Sequence, residues 1–178
     1  MLDGEANLIT MAIKGEASAF GSLYDHYHPQ IYRFVFIKVS RREDAEDLTH
    51  EVFKRAWQNI HAYQNLGFPF SSWLYRIARN QVIDHYRTRK QEVGLDDMDP
   101  EQMASAENRE QLVDQHLEIG RVKTAIHKLK PEHQDVIIMR FIEDLPIRDV
   151  AAALDKSEGA VKLIQHRAMN ELKKILTA

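Results

Sequence analysis

The sequence contains no cysteine, so disulfide bonds, thiolate metal sites and cysteine nucleophiles are excluded. Glycine and proline are scarce, at seven and five among 178 residues, which leaves few positions for the tight turns of a β-rich fold. The longest uninterrupted apolar run, 150–154, is too short to span a bilayer. The N-terminal sequence MLDGEANLI lacks the basic and apolar regions of a signal peptide. These absences predict a cytoplasmic chain without membrane insertion.

The net charge is small, at −3, but the charged residues are unevenly distributed. Residues 1–90 hold 12 Lys and Arg against 10 Asp and Glu, and residues 121–178 hold 11 against eight. Residues 91–120 hold one Arg and nine acids. Two weakly basic parts therefore flank an acidic connector. On charge alone, a solvated linker without further function explains the connector equally well.

Apolar residues recur at helical spacing along the chain, as in the stripe of Ala45, Leu48, Val52 and Ala56. No strand-like alternation competes with this period, so the predicted fold class is all-α. Two small helical domains, 1–90 and 116–178, are expected to be joined by an acidic flexible linker at 91–115. The predicted helices span 5–14, 16–27, 30–39, 43–60, 71–89, 112–128, 132–142, 147–154 and 158–175.

Local signals support several of the predicted helix starts. Pro29, Pro131 and Pro146 each precede a periodic run, where a proline at the first helical position is tolerated. Ser40 and Glu43 have the spacing of a capping box. These signals predict a helix break at Pro29 and a capped helix after Ser40.

The segment LPIRDVAAALDKSEGAVKLIQHRA, residues 145–168, has the pattern of a helix, a tight turn and a second helix. Its apolar residues would fill the interior of a DNA-binding helix-turn-helix, and Ser157 would cap the second helix. The outward face of that helix would present Ser157, Lys162, His166 and Arg167 to phosphates and base edges. The alternative is a helical hairpin that only packs.

The stretch WLYRIARNQVIDHYRTRK, residues 73–90, combines many cations with aromatic residues and only one acid. The polar residues that share an arc of about 100° on the helix are Arg76, Arg79, Asn80, Arg87 and Lys90. The aromatic residues beside this arc or in the preceding loop are Tyr63, Phe68, Phe70, Tyr75 and Tyr86. Cations that follow a backbone and rings that stack on bases bind single-stranded nucleic acid. The alternative is that the rings belong to the core and the cations to the solvated surface.

A third set of residues lies in DAEDLTHEVFKRAW, residues 44–57. Its acids Asp44, Asp47 and Glu51 share one helical face beside the apolar stripe. Acids near a helix start complement the helix dipole, which alone explains two of them. A functional role for this face requires a basic helical partner.

Together these residue sets resemble the extracytoplasmic-function (ECF) sigma factors, the two-domain sigma factors of bacterial RNA polymerase. The resemblance covers roughly 8–176. It is carried by DAEDLTHEVF, then W-x-x-x-I-A-R-N-x-x-x-D-x-x-R, then the acidic linker, and finally SEGAVK with HRA. The two motif blocks in this order are specific, whereas either block alone is weak.

The resemblance implies two binding roles in the first domain. The helix that matches 44–57 would bind the clamp helices of the largest subunit of the RNA polymerase core. Its contact residues would be Asp44, Asp47, Leu48, Glu51 and Phe53. The helix that matches 73–90 would hold the separating promoter strands at the minus-ten element with Arg76, Arg79 and Asn80. The loop Tyr63–Phe70 would then capture an unstacked base.

The resemblance also implies roles for the rest of the chain. The helix-turn-helix would bind the minus-thirty-five element while its domain contacts the polymerase flap. Leu163 and Ile164 stand where the family often has Ser-Arg, so Lys162, His166 and Arg167 would carry more of the binding. The acidic linker would enter the basic RNA path of the polymerase. An anti-sigma factor is implied as a further partner, because such factors commonly hold the family inactive.

Three rival functions predict other features. A repressor that binds duplex DNA alone needs a dimerisation element, and the sequence has no clear dimer seam. An all-α enzyme needs a catalytic or metal motif, but His50-Glu51 lacks a second His at the required spacing and no P-loop or triad pattern occurs. A pure interaction scaffold would bind neither DNA nor polymerase. We therefore expect no catalytic residues, no metal and no cofactor.

Overall fold

The computed structural model of the chain describes residues 4–64, 67–93 and 115–177, and every regular element in these ranges is helical. The first domain consists of α1 (Glu5–Ile13), α2 (Ala17–Val39), α3 (Arg42–Asn59) and α4 (Phe70–Val93), with a short 3-10 turn at Ile60–Ala62. The second consists of α5 (Gln115–His127), α6 (Pro131–Ile137), α7 (Ile147–Leu154) and α8 (Glu158–Thr177). A π-helical segment, Ile138–Ile142, continues α6. The predicted all-α fold with two helical domains is confirmed.

The bounds of the linker predicted at 91–115 stay a prediction. Helix α4 continues to Val93, and α5 already begins at Gln115. Residues 94–114, with most of the acidic side chains, lie outside the described residues. The negative charge of this segment therefore remains an observation on the sequence.

Helix α2 corrects the predicted break at Pro29, which lies inside one continuous helix. An interior proline removes a backbone hydrogen bond and destabilises a helix by about 3 kcal/mol. Leu23 and Tyr27 before the proline and Ile31 and Phe34 after it are all buried on one face. Burial of each large apolar side chain contributes about 1.5–3 kcal/mol, so the shared core offsets the proline.

The capping box predicted at Ser40 and Glu43 is also wrong. The N-cap residue of α3 is Arg41, and no side chain caps the helix there. Ser40 instead ends α2 in a left-handed conformation, with a φ of 62°. Its hydroxyl lies 2.7 Å from Nε2 of His127 in the second domain. The Ser40 side chain therefore contacts His127, which is distant in sequence, and does not cap the neighbouring helix α3.

Each domain has its own buried side chains. The largest fully buried residues of the first domain are Leu23, Ile31, Phe34, Phe70, Leu74 and Tyr75. Those of the second domain are Val136, Ile138 and Met139. Helix α4 packs against α2 and α3 within its own domain and against α7 of the second domain. The stretch that the sequence singled out for its cations therefore takes part in the contact between the domains.

Candidate nucleic-acid interface

The polar arc of α4 is divided between solvent and the second domain. Asn80 and Lys90 are exposed, and exposed Arg87 pairs with Asp84 on the same helix at 3.1 Å. Arg76 is exposed but lies 2.9 Å from Asp155 in the turn of the helix-turn-helix. Arg79 is half-buried and donates a hydrogen bond of 2.8 Å to Asp135 of α6. Two of the five predicted DNA contacts are thus ion-paired with the second domain.

Two of the expected stacking rings on α4 belong to the core. Tyr75 is fully buried, and burial raises its pKa above the ordinary range. The Tyr86 hydroxyl donates a hydrogen bond of 2.6 Å to the Lys38 carbonyl, and burial raises the pKa of Tyr86 to about 12. For these two rings the packing alternative is correct. Tyr75 therefore offers no face on which a base can stack, and the partly buried Tyr86 is tied to α2 by its hydroxyl.

The loop before α4 retains one accessible ring. Tyr63 and Phe70 lie 5.2 Å apart in a cluster that also contacts Trp73. Phe68 is 37% exposed, and the guanidinium of Arg148 in α7 lies 5.2 Å from its ring centroid. Arg148 also donates to the carbonyl of Gly67, whose φ of 80° suits a residue without a side chain. Phe68 is therefore accessible, but it is covered in part by a cation of the second domain.

Helix α3 presents an acidic surface, as its pattern predicted. Asp47 is exposed, whereas Asp44, Leu48 and Glu51 are half-buried. Lys54 and Arg55 donate to Glu51 at 3.1 and 3.2 Å and hold the pKa of its carboxyl below the usual range. Asp47 is therefore the exposed acid of this set, while Asp44 and Glu51 already lie beside cations of their own domain.

Phe53 departs from the other predicted polymerase contacts. Its side chain is only 3% exposed and packs edge-on against Tyr24, with ring centroids 4.7 Å apart. It also stacks near His28 of α2 at 6.0 Å. The ring of Phe53 therefore fixes α3 against α2, and its contact with polymerase stays a prediction.

Sequence reasoning missed a cleft between α3 and α4. The cleft has a volume of about 470 Å³ and contains Leu48 and Gln81 in its wall. At its edge, Asp44 Oδ2 lies 3.8 Å from each of three basic groups, on Arg41, His85 and Arg89. No sequence period connects Asp44 with the α4 side chains, so only the packing of the two helices reveals this cluster.

The helix-turn-helix is formed by α7, the turn at Asp155 and α8. Asp155 adopts the left-handed conformation with a φ of 56°, which a glycine would adopt more easily. The Ser157 hydroxyl accepts a hydrogen bond of 3.2 Å from the backbone N–H of Ala160, so the predicted cap is confirmed. Val150 and Val161 are fully buried between the two helices. The helix-turn-helix predicted at 145–168 is therefore present in the structure.

The outward face of α8 carries the predicted side chains. Ser157, Lys162, His166 and Arg167 are all exposed, and His166 Nε2 lies 3.1 Å from Asn170 on the same helix. Between these residues, Leu163 is 50% exposed and Ile164 is half-buried. The face therefore combines two cations, Lys162 and Arg167, with the exposed apolar side chain of Leu163.

The structure also joins charged groups that no sequence pattern connects. Arg33 of α2 pairs with Glu143, and Lys38 of α2 pairs with Asp135, so both pairs bridge the domains. Within the described ranges, no group of three or more His, Asp or Glu side chains is arranged to hold a metal ion. None of the helices there is both long and apolar enough to cross a membrane.

Two families of known domains match the chain in the order of its two domains. Sigma-70 region 2 matches residues 23–92, and Sigma-70, region 4 matches residues 125–174. The first match covers α3 and α4, and the second covers the helix-turn-helix.

Relatives with similar sequences extend over nearly the whole chain. The ECF RNA polymerase sigma factor BldN of Streptomyces coelicolor is 36% identical over 172 residues, or 95% of this chain and 64% of BldN. This chain thus spans less than two thirds of the length of BldN. The ECF RNA polymerase sigma factor SigX of Bacillus subtilis is 32% identical over 160 residues, or 87% of this chain and 82% of SigX.

Solved structures share the fold. CnrH, solved in complex with the cytosolic domain of CnrY, superposes with a TM-score of 0.75 at 24% identity, over 98% of this chain and 97% of CnrH. The sigma factor RpoE from Bartonella quintana, solved with the anti-sigma factor NepR, gives a TM-score of 0.72 at 24% identity, over 89% and 97% of the chains. With both sigma regions matched in order and SigX aligned over most of both chains, this chain belongs to the family of ECF RNA polymerase sigma factors.

Proposed function

We propose that the chain binds core RNA polymerase and directs it to specific promoters, where it takes part in opening the DNA. The observation that carries this proposal is the order of the two matched sigma regions on two helical domains. Each domain has one helix with a row of exposed cations, α4 in the first and α8 in the second. Sigma factors are regulatory proteins, so we propose no catalytic residue.

The proposed polymerase contact is the acidic surface of α3, formed by Asp44, Asp47, Leu48 and Glu51. Its charge suits a basic helical partner such as the clamp helices of the largest polymerase subunit. Phe53 would act beneath this surface, since its ring holds α3 against α2. Complementary charge accelerates encounter and fixes the orientation of docking more than it adds affinity.

The proposed minus-ten contacts are Arg76, Arg79 and Asn80 on α4, with Arg87 and Lys90 on the following turns. The cations would neutralise phosphates of the separating strands. Phe68 supplies an exposed ring at the mouth of the loop before α4, where an unstacked base could rest. Stacking on an aromatic ring is worth about 1–3 kcal/mol per base, which offsets the few kcal/mol needed to extrude it.

The proposed minus-thirty-five contact is the outward face of α8. Lys162 and Arg167 would bind phosphates or guanine edges in the major groove, and Ser157 and His166 would add hydrogen bonds. Leu163 would meet an apolar part of the groove. The second domain would at the same time contact the polymerase flap.

A stand-alone repressor is the competing function, and free DNA affinity separates the two. Non-specific affinity comes mainly from neutralised phosphates, and a chain of net charge −3 with nine acids in residues 91–120 has little of it. Binding through two DNA-binding helices gains affinity only when their separation matches the spacing of the two promoter elements. Polymerase would impose that separation, so tight binding should require it.

The test is a gel shift and footprint with the free protein, with core polymerase, and with both. We expect weak, salt-sensitive binding by the free protein and promoter-specific melting with polymerase, detected as permanganate-reactive thymines near the start site. Tight sequence-specific binding by the free protein, without a gain from polymerase, would favour the repressor.

The docking surface has a matched control on the same domain. Asp47→Arg reverses an exposed charge on α3 and should slow association with core polymerase about tenfold at low salt. Asp25→Arg makes the same change on the exposed side of α2 and should leave core binding unchanged. Equal effects of the two variants would contradict this placement of the polymerase contact.

An anti-sigma factor is the third proposed partner, after polymerase and promoter DNA. The proposal follows from the family, since RpoE from Bartonella quintana was solved with the anti-sigma factor NepR. The product of a neighbouring gene is the first candidate to test. Its addition should abolish promoter-dependent transcription in proportion to the amount of complex formed, and transcription that persists in the saturated complex would exclude that candidate.

A further inference from the structure

We infer that Glu5 of α1 is a positioning residue for the loop before α4, because it holds the side chain of Tyr27 against the residues that anchor this loop. Glu5 is a buried acid that takes no part in the proposed contacts with polymerase or DNA. The inference rests on the proposed capture of an unstacked base by the loop Tyr63–Phe70. It goes further, because it extends the base-binding site to a residue that would not touch the DNA.

Glu5 and Tyr27 connect the first two helices through a buried hydrogen bond. Glu5 lies in the first turn of α1 and is only 7% exposed. Its carboxylate accepts a hydrogen bond from the hydroxyl of Tyr27 in α2, a residue that is itself buried. Burial, and then this hydrogen bond, raise the pKa of Tyr27 above its ordinary value, so the hydroxyl keeps its proton and remains a donor. The dipole of α1 also favours a carboxylate in its first turn.

The chemistry of this pair indicates a role beyond packing. Burial of a carboxylate costs more than burial of an apolar side chain of similar size, so a methionine would join the two helices at lower cost. A hydrogen bond constrains the distance and the direction between its two groups, which an apolar contact does not. Glu5 therefore fixes the place of the Tyr27 ring in addition to attaching α1 to α2.

The Tyr27 ring in turn supports the loop before α4. Its centroid lies 5.8 Å from that of Phe70, the first residue of α4. The Phe70 ring lies 5.2 Å from Tyr63, at the start of the loop, and 5.4 Å from Trp73. Both ends of the loop thus meet in one ring cluster, formed by Tyr63, Phe70 and Trp73, which contacts Tyr27.

Glu5 also lies near the start of the loop. Helix α1 contacts the turn Ile60–Ala62, which directly precedes Tyr63. Burial, and then the negative charge of Glu5, raise the pKa of Tyr63, so the carboxylate is close enough to influence that hydroxyl. Phe68, the exposed ring of the loop, stands between the two anchored ends in the sequence. Loss of the hydrogen bond between Glu5 and Tyr27 should therefore loosen the position of Phe68.

Base capture depends on a ring that is already in place. A site that becomes ordered only when the base arrives loses binding free energy to that ordering, whereas a preorganised site does not. The loss falls on the step in which the base leaves the stack, and initial binding to the duplex is unaffected. Loss of the hydrogen bond should thus slow isomerisation to the open complex by about 2- to 12-fold, the rate ratio that corresponds to one ordinary hydrogen bond.

Substitutions at Glu5 separate the hydrogen bond from packing. Glu5→Met keeps a side chain of similar length but replaces the carboxylate by a thioether, which is a weak acceptor. Glu5→Gln keeps an acceptor oxygen and should stay close to the parent. Tyr27→Phe removes the donor and keeps the ring beside Phe70. The matched control is Glu16→Met, the same change at an exposed acid whose side chain does not cap α2.

The kinetics of open-complex formation give the first measurement, on a promoter that the footprint with core polymerase has identified. Rates over a range of holoenzyme concentrations separate initial binding from isomerisation. We expect Glu5→Met and Tyr27→Phe to slow isomerisation and to leave initial binding unchanged. Glu5→Gln and Glu16→Met should match the parent in both steps.

Tryptophan fluorescence of the free protein gives a second measurement, which does not depend on polymerase. The sequence has two tryptophans, so Trp57→Phe leaves Trp73 of the ring cluster as the single fluorescent tryptophan. In this background, acrylamide should quench Trp73 more strongly in Glu5→Met and Tyr27→Phe than in the parent, because a loosened ring cluster admits the quencher. Glu16→Met should leave the quenching unchanged.

Unchanged isomerisation in both Glu5→Met and Tyr27→Phe would overturn the inference, and so would unchanged quenching of Trp73. Equal losses in initial binding and in isomerisation would show general damage to the first domain and would also contradict it. If Glu5→Met does not fold, as measured by circular dichroism, Tyr27→Phe decides by the same criteria. If the parent opens no promoter with core polymerase, the proposed function fails, and the quenching of Trp73 then decides whether Glu5 holds the loop.

Discussion

Arg33 and Glu143 pair through two parallel hydrogen bonds of 2.6 Å, from Nε and Nη2 of the guanidinium to the two carboxylate oxygens. The pair joins α2 to the segment after α6, across 110 positions of sequence. The hydrogen bonds raise the pKa of Arg33, while the Glu143 side chain is only 1% exposed. Glu143 therefore depends on the Arg33 guanidinium to a degree that a surface carboxylate does not.

Arg33→Ala should lower the free energy of unfolding, because it leaves the buried Glu143 carboxylate without its two donors. We expect a loss of about 1–3 kcal/mol, toward the lower end because Arg33 itself is half exposed. The control is Arg42→Ala, which removes the solvent-exposed pair with Glu46 within α3 and should leave stability unchanged. Chemical denaturation of both variants is the measurement. If Arg42→Ala lowers the free energy of unfolding as much as Arg33→Ala does, the pair of Arg33 with the buried Glu143 contributes no more than a surface pair.

Lys162→Ala and Arg167→Ala should each impair promoter-dependent transcription through the upstream element. A lost phosphate contact weakens binding to all sequences alike and lowers the salt slope by about one unit, whereas a lost base contact relaxes specificity at one position. Lys173→Ala, an equally exposed cation farther along α8, is the control and should behave as the parent. Unchanged transcription in the double variant of Lys162 and Arg167 would refute this placement of the recognition helix.

Leu163→Ala should alter base preference without lowering stability. The side chain is half exposed on the outward face of α8, so its removal leaves no large cavity in the core. Apolar side chains in the major groove recognise the thymine methyl group. Replacement of thymine by uracil, one position at a time, should weaken binding of the parent holoenzyme at one site and have no effect there on the variant. Equal responses to uracil in both proteins at every position would show that Leu163 reads no methyl group.

Acidification should weaken the contact at His127. Burial, and then the positive charges of Lys123 and Lys38, lower the pKa of His127 below its ordinary value of 6.5. The unfolded chain therefore takes up the proton first as the pH falls. Stability from the neutral ring is complete above 6.5 and declines as the pH drops below that value.

Thermal unfolding from about pH 7.5 to about 5.5 measures this loss. His127→Gln should lose less stability than the parent over the range, since it has no proton to take up there. His61→Gln, a change at an exposed histidine, should follow the parent. Parallel profiles for the parent and His127→Gln would exclude His127 as a source of the pH dependence.

Neutralising the acidic linker should weaken initiation. A pure spacer tolerates replacement by a neutral segment of equal length. Changing Asp96, Asp97, Asp99 and Glu101 to Asn or Gln removes charge at constant length, so an effect on open-complex formation or abortive RNA release would come from electrostatics. Initiation kinetics identical to those of the parent would reduce the linker to a tether.

Local sequence patterns predicted the elements whose cause is local. The helix-turn-helix followed from apolar spacing and from a serine that caps α8 within three residues of its donor. Pro131 lies in the first turn of α6, as its position before a periodic run predicted. These features depend on residues within one or two helical turns of each other, so they can be predicted from the local sequence.

Tertiary packing decided the rest. Local patterns predicted a break of α2 at Pro29 and a cap of α3 by Ser40. In the structure, α2 continues through the proline because both sides of it share one core, and the Ser40 hydroxyl contacts His127. Phe53, Tyr75 and Tyr86 carry no local mark that distinguishes a buried ring from an exposed one. Only the packing of α3 and α4 against α2 places Phe53 and Tyr75 in the interior and brings the Tyr86 hydroxyl to the Lys38 carbonyl.

The charges show the same division. The sequence by itself determined an all-helical chain with two weakly basic domains and cations in rows on α4 and α8, because helical periodicity fixes which residues share a face. It did not determine that Asp135 meets Arg79 or that Glu143 meets Arg33, pairs separated by 56 and 110 positions. Coulomb attraction depends on the distance between charges in space, and separation along the chain does not determine that distance until the domains have packed.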